Sequence, residues 1–186
     1  MKIGLLSVGP VDPDTVTRIQ ENLSMILAED TFTQIATTMP LPNEAYDEDR
    51  QQHRSNIILT KIRDQAERTK DLTRILGITD VDIYLPPLNF VFGEAECPGK
   101  TALISLWRLR QEFYKRKPDI DLLIERGTKE AVHELGHTMG LNHCSNPFCI
   151  MYFSVSIFET DRKQSLFCSK CHVKLERAIR IQGEEP

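Results

Sequence analysis

Between residues 133 and 151 the chain reads HELGHTMGLNHCSNPFCIM, so three histidines and a glutamate run straight into two cysteines. His133 and His137 are four apart in a segment that favours helix. That spacing places both imidazoles on one face, a turn apart, where two nitrogens can share a metal ion at ~2.0–2.1 Å each. Glu134 follows His133 and sits beside that ion but off the ligand axis, suited to hold a water molecule and take its proton. Gly140 comes three residues after His137, and a glycine there lets the helix stop in a left-handed turn. The chain can then bring His143 back toward the same ion. Three neutral imidazoles leave a zinc ion its full charge and one open position, the catalytic rather than the structural arrangement. Histidines that merely satisfy core hydrogen bonds would not need this pattern.

Cys144 and Cys149 have four residues between them, and Cys168 and Cys171 have two. Two such pairs can supply four thiolates to a second zinc ion at ~2.3 Å. A tetrathiolate closes the coordination sphere, so this metal would stabilise rather than catalyse. The competing reading is a redox dithiol in CSKC, which would not require Cys144 and Cys149. Because Cys144 directly follows His143, the two sites share one piece of backbone, and an extended chain sends consecutive side chains to opposite sides. Cys97 stands apart as a bystander thiol, and His172 reads as a surface residue.

The positioning elements can be traced along the chain. KIGLLSV reads as a buried strand. Asp12 and Pro13 then open a helix with Val16, Ile19, Leu23 and Ile26 on one face, and TFTQIATT alternates as a strand. LPNEAYDEDRQQ reads as a loop. From Ser55 to Leu76 the spacing is helical and ends at Gly77, a natural stop. DVDIYLP, NFVFGEAE and KTALISLW read as three strands without intervening helices, which predicts a mixed sheet. The basic run RLRQEFYKRKPD reads as solvated surface, and NLS at Asn22 lies mid-helix and is discarded as a glycosylation acceptor. With 186 residues, 40% hydrophobic and 27% charged, the chain suits one soluble domain, residues 1–140 leading into the zinc helix and 141–186 holding the cysteines. A net charge of -4 argues against nucleic acid. No apolar run is long enough for a signal-peptide core or a membrane span, so the protein is expected to be cytoplasmic.

HELGHTMGLNH followed by Met151 resembles the metzincin clan of zinc peptidases. Together with the cysteine after the third histidine, CIM, CSKC and the upstream ITDVDIYLPPLNFVFGEAE, it is similar to the archaemetzincins over residues 78–97 and 129–171. The resemblance implies an α/β fold: a twisted mixed sheet of about five strands with one antiparallel edge strand, three main helices and a small zinc-stapled C-terminal part. It implies two zinc ions per chain and a peptide or protein substrate extended along the edge strand, roughly Asn89 to Glu96. Met151 would lie in a tight turn as an apolar floor beneath the catalytic zinc. Some metzincins place a tyrosine two residues after that methionine. Here Phe153 holds that place and Tyr152 falls one residue early. A peptide-binding module with two structural zinc sites, or a zinc–thiol redox sensor, are the rival readings.

Overall fold

The computed structural model describes residues 1–28, 30–69 and 71–183. The elements run β1 (Lys2–Val8), α1 (Pro13–Ile26), β2 (Thr31–Gln34), β3 (Tyr46–Asp47), β4 (Gln52–Arg54) and α2 (Ser55–Arg68). They continue with β5 (Arg74–Thr79), β6 (Ile83–Tyr84), β7 (Gly93–Ala95), β8 (Thr101–Ser105), α3 (Ile120–Thr138), α4 (Ile157–Arg162) and α5 (Ser169–Gly183). Five strands form the main sheet in the order β2-β1-β5-β8-β7. The pairs are parallel except the last, where β7 runs antiparallel to β8 at the edge. A three-stranded sheet, β3-β4-β6, flanks it.

Because strand side chains alternate between faces, the central strands feed two cores. Leu5, Leu76, Ile78, Ala102 and Ile104 pack with α1 and α3. Leu6, Ile75 and Leu103 pack with Ile58 and Ile62 of α2 on the other face. A sheet buried on both sides reads as a continuous apolar run rather than an alternation, and this explains the largest correction to the sequence reading. The helix expected over Ser55 to Leu76 ends at Arg68, and Arg74–Thr79 is the central strand β5, buried throughout. Gly77 is not a helix stop. It lies mid-strand, where a Cβ would collide with Ile62.

Other differences are smaller. The expected loop at 41–52 contains β3 and the start of β4, DVDIYLP contributes β6 to the second sheet, and NFVFGEAE is a strand only at Gly93–Ala95. α5 adds a fourth long helix to the three expected. The basic run is not simply solvated. Arg108 grips Asp82 with two hydrogen bonds of 2.7 and 2.8 Å and stacks over Phe90 and Phe113, while Arg110 grips Asp80 in the same forked way. These pairs tie the segment after β8 to the loop before β6. Asn22 donates to the Thr128 hydroxyl, joining α1 to α3. No helix among the described residues is long and apolar enough to cross a membrane.

α3 is the element the site depends on. Asp119 caps it by accepting from Leu122 N at 3.0 Å, and all but a few of its residues are buried. Arg126, at 1% exposure, donates to both Asp161 carboxylate oxygens at 2.6 and 2.7 Å and to Leu109 O at 2.8 Å. Asp161→Ala strands this guanidinium in the core. Its expected cost is about 2–3 kcal/mol, the low side for an orphaned buried charge because Asp161 is partly exposed. Arg126→Met should cost less, because it leaves no buried charge and the Asp161 carboxylate it orphans is partly exposed. A fall in the urea midpoint at constant slope measures both.

Candidate active site and metal centres

The last two turns of α3 hold His133, buried, and His137, half-buried; His143 follows on the exposed segment beyond. His133 Nδ1 lies 2.7 Å from Ile150 O, and His137 Nδ1 lies 2.7 Å from Leu141 O. A carbonyl can only accept, so in each neutral ring Nδ1 carries the proton and Nε2 presents its lone pair. His137 Nε2 stands 3.2 Å from the Nε2 atoms of both His133 and His143. A tetrahedral ion at ~2.0–2.1 Å from each nitrogen sets such atoms ~3.3 Å apart, so the donor set fits zinc. Burial, with the charge of Lys163 added to it, holds all three imidazoles below their ordinary pKa, His133 furthest. The neutral, ligating form is therefore the resting one.

Gly140 ends the helix as expected, at φ 91°. Leu141 N donates to Gly136 O at 3.1 Å and Gly140 N to His137 O at 2.8 Å, the doubled bond of a Schellman turn. This turn carries the Leu141 carbonyl onto His137 and delivers His143 to the set. Met151 is fully buried against α3, and a Cβ on Gly136 would lie 2.5 Å from its sulfur.

The four cysteine sulfurs Cys144, Cys149, Cys168 and Cys171 form a second cluster, all within 4.8 Å of one another. Cys144 Sγ and Cys168 Sγ are 3.8 Å apart, the edge of a tetrahedron with ~2.3 Å bonds and far beyond a disulfide's ~2.05 Å. Backbone N–H groups point at the sulfurs, Cys168 N to Cys149 Sγ at 3.3 Å and Asn146 N to Cys144 Sγ at 3.5 Å. The Cys171 N–H beside it, with help from the neighbouring thiols, lowers Cys168 to about 7, while burial raises Cys149 and Cys171. Consecutive residues thus serve different clusters: His143 and Cys144 at one end, and at the other Cys149 beside Ile150, whose carbonyl orients His133.

A cleft of about 570 Å³ opens on the histidines, with β7 along one side and residues 153–155 along the other. Glu134 lies in it, buried. Desolvation first, and the Glu130 carboxylate second, raise its pKa well above the usual range, against the pull of Lys163. Behind it Lys163 Nζ, with no exposure, bonds Glu130 Oε1 at 3.0 Å, and Thr160 Oγ1 bonds the same oxygen at 3.1 Å. At Gly93, β7 approaches α3 so closely that a Cβ would sit 2.6 Å from Glu134 Oε1 and 2.7 Å from Leu103 O. On β7, Ser105 N donates to Phe92 O and Glu96 N to Thr101 O. The antiparallel alternation therefore turns the N–H and C=O of Gly93 and Ala95 toward the free edge.

The family-model comparison matches residues 14–177 to peptidase family M54. The chain belongs to that family, the archaemetzincin zinc metallopeptidases. It is 42% identical to the archaemetzincin of Methanocaldococcus jannaschii over 176 residues, 95% of this chain and 93% of that one. The crystal structure of an archaemetzincin from Methanopyrus kandleri superposes with a TM-score of 0.84 at 38% identity, covering 97% and 96% of the two chains. A zinc-dependent peptidase from Methanocorpusculum labreanum gives the same TM-score at 34% identity, over 93% of this chain and 99% of that one.

Sequence reasoning missed the carbonyls of Ile150 and Leu141, which no side-chain pattern can announce. It also missed the Glu130–Lys163 pair and Glu94, which lines the cleft from β7. Cys97 is less remote than its isolation in sequence implied. It too lines the cleft, its thiol 3.5 Å from Leu141 O, whereas His172 is an exposed residue near Glu176. Phe153 packs against His143 with the rings tilted by 46° and their centres 4.8 Å apart. Because Cys149 and Cys144 abut the groups that hold His133 and His143, Cys168→Ser should weaken zinc at the histidine set about 10–100-fold, as loss of an outer-shell support does. Competition with a chromophoric chelator measures this, and an unchanged affinity would mean that the two clusters are independent.

Proposed function

We propose that the chain hydrolyses peptide bonds in the cleft beneath β7, with zinc held by His133, His137 and His143 and with Glu134 as general base. A second zinc ion sits on Cys144, Cys149, Cys168 and Cys171. The observation that carries this reading is the meeting of three Nε2 atoms, that of His137 3.2 Å from each of the other two, beside a buried carboxyl in an open cleft. Bound there, zinc polarises a scissile carbonyl and lowers the pKa of water.

The remaining work falls to the chain. Glu134 accepts the proton of the attacking water and passes it to the leaving amine, a role suited to a carboxyl whose pKa burial holds well above its ordinary value. The outward N–H and C=O groups of Gly93 and Ala95 pair with an extended substrate, and the absence of a side chain at Gly93 lets that strand lie close to Glu134. Met151 acts as the apolar floor. Among the described residues none that lines the cleft is a tyrosine, and a zinc ion held by the three histidines would supply positive charge for the developing oxyanion. Four thiolates on zinc need a reducing compartment, which suits the cytoplasm.

Metal analysis should give two zinc ions per chain. Glu134→Gln should retain both and lose at least about a thousandfold in peptide turnover, near the top of what general-base catalysis contributes. Wild-type turnover in that variant would sink the mechanism. Gly93→Ala should also keep both zinc ions but lower kcat about tenfold or more, because its Cβ displaces Glu134 or β7. Steady-state assays on a peptide mixture, with zinc content determined on the same samples, check both variants.

A further inference from the structure

Glu94 is the middle residue of β7. The side-chain alternation of a strand turns it away from the face on which Gly93 meets Glu134, toward the start of α2. It nevertheless lines the cleft, whose walls also include the apolar side chains Leu85, Leu88 and Val91. Five buried side-chain nitrogen or oxygen atoms among the described residues lack a hydrogen-bond partner in the protein, and Glu94 Oε2 is one of them. The polar neighbour it does have, the Ser55 hydroxyl, gives its proton to Tyr84 O at 3.0 Å. Burial raises its pKa, and Ser55 opposes that shift.

The other carboxyls of the cleft have assigned work. Glu130 is held by Lys163 and Thr160, and Glu134 faces the histidine set. Among the described residues no lysine or arginine lines the cleft. A partly buried carboxylate with one oxygen left unpartnered, in a cleft lined largely by apolar side chains, is stabilised by a cation that arrives from outside. Rotation about the last side-chain bond is soft enough to turn either oxygen to meet it.

We propose that Glu94 determines specificity by binding a cationic group of the substrate, either a lysine or arginine side chain or a free amino terminus. This rests on the reading of β7 as the strand that pairs with substrate. Along a paired peptide, side chains alternate between the two faces of the sheet. The residue that reaches Glu94 therefore points away from the catalytic helix, and its neighbours point toward that helix.

Binding tests this apart from turnover. The probes are short peptides with lysine or its neutral isostere norleucine at successive positions, each N-acetylated or with a free amino terminus. They are titrated by fluorescence polarisation against zinc-loaded Glu134→Gln and against the Glu94→Gln, Glu134→Gln double variant. The first protein should bind one cationic register about tenfold tighter than its neutral counterpart, and the double variant should bind the two within about twofold. A preference confined to acetylated lysine peptides assigns the cation to a side chain, and one confined to free-amine peptides assigns it to the terminus. Equal binding of charged and neutral peptides, or a preference that survives Glu94→Gln, overturns the proposal while leaving the peptidase reading intact. If no peptide binds and the wild type cleaves none, the cleft is not a peptide site and both readings fall. Equal zinc content and thermal midpoint in the two variants exclude misfolding.

Discussion

Each of the Ile150 and Leu141 carbonyls takes the Nδ1 proton of a histidine, and the site depends on that pair of hydrogen bonds. They settle the tautomer, so two Nε2 lone pairs face one another at 3.2 Å. Two acceptors at that distance repel unless a cation lies between them, so metal binding relieves a repulsion that the fold has built in. The two carbonyls come from unrelated places. One is supplied by the Schellman turn that ends α3, and the other by the buried segment between Cys149 and Met151. Holding the rings therefore requires the helix end and the thiolate-bearing segment to be placed together.

Much of that placement is carried by charges inside the protein. Arg126 ties α3 to Asp161, and Glu130 ties it to Lys163, so α4 and its continuation are fastened to that helix. The Lys163 charge also reaches the imidazoles and Glu134 in opposite senses. It disfavours protonated histidines and favours an ionised glutamate. One ammonium with no solvent exposure thus pushes the three histidines toward the neutral form and Glu134 toward the ionised one.

The chemistry-bearing residues were legible in the sequence because metal ligation demands particular side chains at particular intervals. His133, His137, His143 and the four cysteines meet as their spacing implied, and Gly140 turns as the helix stop required. What was not legible follows from two physical facts. A strand covered on both faces loses its alternation, so β5 merged with the helical pattern before it. Backbone atoms and partners distant in sequence leave no local mark, which hid the two carbonyls and the Glu130–Lys163 pair. The arginines of the basic run were misread for the same reason, since Asp80 and Asp82 lie some thirty positions upstream.

Cys149, Ile150 and Met151 occupy three successive positions and face three different demands: a sulfur for the thiolate cluster, a carbonyl for His133, and an apolar side chain beneath Gly136. With Cys144 fixed upstream by its N–H to Met151 O at 2.8 Å, this stretch has no slack. A single inserted or deleted residue would rotate all three functions out of register at once. The loop between β6 and β7 bears no residue of either cluster, so a change in its length would reshape the rim of the cleft and what enters it, and not the clusters beneath.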